Sequence, residues 1–202
     1  MNEEKKLTIA IAGTGEGIKS GIADRLATTN VKLLLCDETD IKKAEHLGDE
    51  IVQKNASADV EVMDCLKKTT RAADIIILAM PHKRQRAVAE IIREAARNKI
   101  VISLSMPKLP SFQGVLQNMN SGVALQMQEL LPESRIVAAL NSSASDVIGK
   151  QINRPVEIFL AGNDGEAVES VSDLIKKAGL IPVKTGRLSP LSIFNEDKFH
   201  KA

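Results

Sequence analysis

Leu7-Thr8-Ile9-Ala10-Ile11-Ala12-Gly13-Thr14-Gly15-Glu16-Gly17 runs from an apolar strand into a glycine-rich turn, and an amphipathic helix is predicted to follow from Ile18 to Ala27. Ile18, Ile22 and Leu26 recur at helical spacing, whereas the preceding run has the length and composition of a buried strand. A strand that delivers backbone amides to a helix N-terminus makes an anion site, because the unpaired N–H groups and the helix dipole both favour negative charge. The first expectation is therefore a site for the diphosphate of a dinucleotide.

Gly13-x-Gly15 fills the first two positions of G-x-G-x-x-G, where one glycine makes the tight turn and the next lets the backbone approach the phosphates. The third position is Ile18, flanked by Gly17 and Gly21, and Glu16 brings a carboxylate close to the expected phosphates. The plainer alternative is a strand-to-helix turn that needs glycine only for its backbone angles.

Outward from this turn, apolar runs of strand length recur at Lys32 to Cys36, Val60 to Met63, Asp74 to Met80, Ile100 to Leu104, Ile136 to Leu140, Val156 to Leu160 and Ile181 to Lys184. Between them Val88, Ile91 and Ile92 mark a second helix. Leu125 and Leu130 mark a third, and Val168, Val171, Leu174 and Ile175 a fourth. Such alternation predicts an α/β fold, a doubly wound and mostly parallel Rossmann-like sheet covered on both faces. One domain over residues 1–190 is expected, with a polar tail over 191–202. Lys108 to Gly122 reads as a loop that could cover the crevice.

Ligands of these sheets lie beyond the carboxyl ends of the strands, so Gly13 to Gly17, Asp37, Met80 to His82, Ser103 to Pro107 and Asn141 to Ser143 are expected to converge. Asp37 and Glu38 close the second strand, 24 residues after Gly13, close to where an acidic side chain accepts from the adenosine ribose in an NAD site. A 2′-phosphate there would meet two carboxylates. A like-charge pair at 4 Å costs about 4 kcal/mol at an effective dielectric of 20 and about 1 in bulk water. NAD is thus favoured over NADP unless Lys42 or Lys43 folds over, the alternative being that Asp37 or Thr39 merely caps the helix starting near Ile41.

Met80-Pro81-His82 follows the strongest apolar run, where a nicotinamide ring would sit. His82 could equally be a solvated residue entering a helix with Lys83, Arg84 and Arg86, and no catalytic side chain is assigned, because hydride transfer needs no protein acid or base. Asn141-Ser142-Ser143 offers short polar groups to a ring edge or simply makes a turn. Asp146 and Asp164 read as turn residues.

The chain has 202 residues, 44% of them hydrophobic, and a net charge of +1 from 27 basic and 26 acidic side chains. That balance gives no footprint for nucleic acid or an anionic membrane. The polar start predicts a cytoplasmic protein, and no run is long enough to cross a bilayer. Cys36 and Cys65 are expected to be reduced and buried. No metal-ligand cluster, Ser-His-Asp set or Walker A motif is present, so hydrolase and nucleotide-kinase readings lack a site. With no Trp, no Tyr and four Phe, a permanently bound flavin would find few aromatic walls.

Across Leu7 to Ser189 the chain resembles the coenzyme F420 (deazaflavin) dependent NADP oxidoreductases and the related cytosolic oxidoreductase domain of membrane metalloreductases. The resemblance rests on Ala12-Gly13-Thr14-Gly15 with Arg25-Leu26-Ala27, on Ala73 to Pro81, on Lys99 to Ser103, on Ile136 to Leu140, on Val156 to Asp164 and on Thr185 to Ser189. It implies that Thr14 to Gly17 hold the pyrophosphate and that Met80 and Pro81 pack by the nicotinamide. The segments after Ser103 and Leu140 would line an acceptor pocket. It further implies NADP or NAD as cofactor and an exchangeable flavin or deazaflavin as hydride acceptor. Where the family places Ser-Arg-Arg this chain has Asp37-Glu38-Thr39, where it places a histidine this chain has Asn141, and a further apolar helix after the last strand is lacking.

The leading expectation is an NAD(P)-dependent oxidoreductase, with a non-catalytic dinucleotide-binding regulatory module as the alternative. A dehydrogenase with an added helical substrate domain fails on length. A homodimer is expected where the shortened C-terminus leaves apolar surface.

Overall fold

The computed structural model describes residues 6–14, 18–104, 123–141 and 156–188. Its eight-stranded sheet has the order β3-β2-β1-β4-β5-β6-β7-β8. The strands are β1 (Leu7–Ala12), β2 (Val31–Cys36), β3 (Asp59–Val62), β4 (Ile75–Leu78), β5 (Ile100–Ser103), β6 (Arg135–Asn141), β7 (Glu157–Gly162) and β8 (Ile181–Gly186). Adjacent strands are parallel except β6 and β7, which run antiparallel with Ala139 opposite Leu160. The α/β, mostly parallel, Rossmann-like architecture expected from the alternation is the one observed.

The helices are α1 (Ile18–Ala27), α2 (Ile41–Lys54), α3 (Leu66–Ala72), α4 (His82–Ile92), α5 (Val123–Leu130) and α6 (Gly165–Lys177). The alternation of side chains along each central strand divides the interior in two. Ile9, Ile11, Ile75, Ile77, Ile100 and Ile102 pack on one face with Leu26 of α1, Leu47 and Ile51 of α2, and Val171 and Leu174 of α6. Ala10, Ala12, Ile76, Leu78 and Val101 face the other way, against Leu66, Val88, Ile92 and Met127. The small Ala10 and Ala12 suit a close approach on this second face. Burying each Ile or Leu stabilises the fold by about 1.5–3 kcal/mol relative to exposure.

Capping residues set two helix starts. Asp40 accepts from the Lys42 N–H at the start of α2, and Asp164 accepts from the Ala167 N–H at the start of α6. The α2 cap is thus Asp40 rather than Asp37 or Thr39, which leaves Asp37 for another task. Helix α3 was not legible in the apolar periodicity, because two of its buried positions are Thr69 and Thr70. Its C-terminal end is held by Lys99 Nζ, which donates to the carbonyls of Thr70, Arg71 and Ala73 at 2.8, 2.7 and 2.7 Å. Cys36 is buried, as expected, whereas Cys65 is only partly so.

The outer strands are β3 and β8. On β3, Asp59 and Glu61 pair with Lys6 and Lys32. On β8, Pro182 lies opposite Ile158, and Lys184 pairs with Glu169.

The order of connection reverses between β1 and β4, since β1 leads outward to β2 and β3 and the chain then returns to β4 on the other side. A crevice opens at such a reversal, beyond the carboxyl ends of the two strands. Gly13 follows β1 there, and Ala79 and Met80 follow β4.

Candidate functional site

Gly13 leaves β1 with φ +87° and donates its N–H to the Cys36 carbonyl at 2.9 Å. A Cβ at this position would lie 3.0 Å from the Ala79 oxygen and 3.1 Å from Met80 Cβ. Glycine is therefore required twice, for the backbone angle and for the approach of the β1 and β4 ends. The turn alone does not distinguish a phosphate cradle from an ordinary βα turn; its neighbours carry more.

Thr14 is buried, and both its N–H and its hydroxyl point at one oxygen of Asp37, at 3.0 and 3.2 Å. The other Asp37 oxygen accepts from the Thr39 N–H at 3.0 Å, the Thr39 hydroxyl at 2.6 Å and the Asp40 N–H at 3.2 Å. Burial by itself would raise the Asp37 pKa, but the donors from Thr14 and Thr39 outweigh it and hold the carboxyl well below the usual carboxylate range. Asp37 is a permanent anion that ties the turn after β1 to the turn after β2. Both its oxygens are engaged within the protein before any ribose arrives, and the Thr14 amide is turned to Asp37.

Glu38 is held from a different quarter. Arg84, on the first turn of α4, extends across to the end of β2, where its Nη2 pairs with Glu38 Oε1. The same nitrogen lies 3.4 Å from the Thr39 hydroxyl and 4.0 Å from Asp37 Oδ1. The expectation that only Lys42 or Lys43 could offset the two carboxylates left out this cation. Lys43 lies at 3.9 Å from Asp40 instead.

On the β4 side Met80 is buried and Pro81, at the N-cap of α4, is exposed. Gln85 is fully buried, donates from Nε2 to the Met80 carbonyl at 3.1 Å, and accepts from the Ser103 hydroxyl at 2.9 Å. Ser103 therefore spends its hydroxyl inside the protein, and the pair fixes the course of the chain as it leaves β4. Neither Gln85 nor Arg84 was singled out from the sequence, where they sit in the basic run from Lys83 to Arg86. A single uncharged amide among cations was the available signal.

The structure brings Gly13, Thr14, Asp37, Glu38, Met80, Pro81 and Ser103 to one edge of the sheet. His82 opens α4 and Asn141 ends β6, but their side chains lie outside what is described. Gly15, Glu16 and Gly17 lie outside the described residues, as do 105–122 and 142–155. Among the described residues no three His, Cys, Asp or Glu gather as metal ligands. No described helix is long and apolar enough to cross a membrane.

Residues 8–107 match the model of a family described as NADP oxidoreductase, coenzyme F420-dependent. This segment belongs to that family. The match runs from β1 past β5, so it contains the Gly13 turn, the end of β2 and the β4–α4 junction. An F420-dependent NADP reductase of Methanocaldococcus jannaschii is 27% identical over 90% of this chain and 85% of its own length. Among solved structures, a hypothetical protein of Sinorhizobium meliloti superimposes with a TM-score of 0.68 at 21% identity, covering 91% of this chain and 86% of that one. A Plasmodium falciparum pyrroline carboxylate reductase with NADP bound superimposes with a TM-score of 0.61 at 16% identity, covering 88% of this chain and 57% of that one. These two likenesses speak for the fold.

Proposed function

We propose that this chain is an NADP-dependent oxidoreductase that binds the dinucleotide at the Gly13 edge and passes hydride directly between its nicotinamide and a flavin- or deazaflavin-like acceptor. The observation that carries the reading is the joint between β1 and β4. Gly13 backs onto Ala79 and Met80 without room for a Cβ, in the segment that matches the F420-dependent NADP oxidoreductase family.

The residues present fit a dinucleotide. The Gly13 turn leads into the N-terminus of the ten-residue α1, where helix amides and dipole favour a diphosphate. The Asp37 carboxylate stays charged, but the five hydrogen bonds it accepts from Thr14, Thr39 and Asp40 hold both its oxygens within the protein and partly offset its repulsion of such a ligand. The bound dinucleotide supplies two electrons and a proton together as hydride, leaving its ring oxidised and the acceptor reduced. This chain's part is placement: the exposed Pro81 offers an apolar wall for the ring, Met80 backs it from the core, and Gln85 fixes that wall through the Met80 carbonyl. Oriented approach of two stacked rings requires no ionising side chain.

The test is anaerobic oxidation of NADPH in the presence of coenzyme F420 and, separately, of free flavin, preceded by a titration read through nicotinamide fluorescence. A chain with no Trp and no Tyr contributes little competing emission. Saturable binding with turnover supports the proposal. Binding without turnover on any acceptor would move the reading to a regulatory dinucleotide-binding module.

A further inference from the structure

We propose that Arg84 is the residue by which this chain recognises the 2′-phosphate of NADP(H), exchanging its partner Glu38 for the phosphate. The inference rests on the dinucleotide reading above and deepens it to the choice of cofactor. In a crevice of this topology the adenosine ribose reaches the end of β2, where an acidic side chain accepts from the 2′-hydroxyl or an arginine nearby takes the 2′-phosphate. Here the residues directly after β2 are Asp37 and Glu38, neither of which can bind a phosphate.

Three observations single out Arg84. Its guanidinium crosses from α4 to the end of β2 and lies against Glu38, Thr39 and Asp37 together, so it occupies the position from which a ribose substituent would be read. The polar contacts of its guanidinium among the described residues pass through Nη2, the nitrogen shared by both paired N–H edges of an arginine, so a phosphate that displaces Glu38 gains a two-point grip through Nη2 together with Nε or Nη1. Its side chain is 38% exposed, so a ligand can reach it.

The two carboxylates differ in what they can do. Asp37, with 4% of its side chain exposed and both oxygens committed, stays in place. Among the described residues Glu38 is held by Arg84 through a single pair and can swing out to solvent. A 2′-phosphate carries more charge than a carboxylate and three acceptor oxygens, so it competes well for the guanidinium. Arg84 then has two states, parked on Glu38 or engaged on the phosphate. Glu38 acts as a competitor that weakens NADPH binding and leaves NADH binding nearly untouched.

The experiment measures NADPH and NADH affinities of the full chain by nicotinamide fluorescence for wild type, Arg84→Met, Arg84→Lys and Glu38→Gln. Arg84→Met should lower the NADPH-over-NADH affinity ratio by about 10- to 100-fold, Arg84→Lys should lose less, and Glu38→Gln should raise the ratio several-fold. Raising the salt concentration should shrink the wild-type ratio towards that of Arg84→Met. Equal loss of both nucleotides in Arg84→Met, or a ratio unmoved by either Arg84 or Glu38, overturns this assignment while the dinucleotide site stands. A folded wild-type chain that binds neither nucleotide overturns the dinucleotide reading, and this assignment with it. Urea unfolding midpoints of the variants, none of which removes a buried group, show that the fold is kept.

Discussion

The Thr14 amide and the Thr14 hydroxyl both donate to a single oxygen of Asp37, at 3.0 and 3.2 Å, and so pin the first strand's turn to the second's. Replacing Asp37 by Asn keeps the size but sets an amide NH2 against these donors. Hydrogen bonds to charged groups are worth about 1.5–3 kcal/mol each, so Asp37→Asn should cost about 2–3 kcal/mol of unfolding free energy near pH 7. The sign of the pH dependence follows from the depressed folded pKa. The stabilisation is fully present above the unfolded aspartate value of about 3.9 and is lost as pH falls below it. Urea titrations at several pH values should show a constant gap between variant and wild type above about pH 5 that narrows below about pH 4.

Gly13→Ala tests the backbone contact. Its φ of +87° strains any L side chain, and the Ala79 oxygen lies 3.0 Å from the new Cβ. Strain of this kind costs about 1–3 kcal/mol, and relieving it would move the β1 end away from β4. The variant should unfold at lower urea concentration and lose most of its NADPH affinity in the fluorescence titration. Unchanged affinity would show that the phosphates do not rest on this joint.

Gln85 and Ser103 form a closed polar pair, so their substitutions should not add. Gln85→Leu leaves the Met80 carbonyl and the Ser103 hydroxyl without their partner, at about 1–3 kcal/mol for each buried group. Ser103→Ala orphans only Gln85 Oε1. The double variant should be less destabilised than the sum of the two, with a coupling of about 0.5–3 kcal/mol in a double-mutant cycle.

Gly162, at the end of β7, faces α6 so closely that an added Cβ would lie 2.6 Å from Val168 Cγ2 and 3.1 Å from the Ile136 oxygen. Gly162→Ala should destabilise by about 1–3 kcal/mol through overpacking. Val168→Ala, which removes the nearer obstacle, should recover part of that loss when combined with it. Thermal unfolding of the two single variants and the double one decides the point.

The sequence shows where faces lie better than where hydrogen bonds go. Ile9 and Ile11 on one side of β1 and Ala10 and Ala12 on the other follow from strand alternation, and α6 follows from Val168, Val171, Leu174 and Ile175. Helix α3 escaped because Thr69 and Thr70 are buried where the pattern calls for apolar residues. The reversal of β7 against β6 also escaped, since an apolar run carries no sign of its direction. At the crevice the sequence shows which residues follow each strand but not which partners they meet. Asp37 stood out as an acid after a strand, yet its donors lie on Thr14, Thr39 and Asp40. Arg84 looked like one cation of a solvated helix entry, although its partner is 46 residues away in sequence. Periodicity reports burial, and only the fold decides which distant polar groups meet.

The two flanks of the sheet bear on behaviour outside the folded monomer. At one flank Asp59 and Glu61 are clamped by lysines, and at the other Pro182 withholds an amide proton beside the charged Lys184–Glu169 couple. A second molecule docking there would have to strip ions of their water and accept a gap in the ladder. Ribbon-like growth through strand addition is blocked by side-chain chemistry at each margin, so clumping of this chain on heating should begin with exposed interior surface and not with its outermost strands.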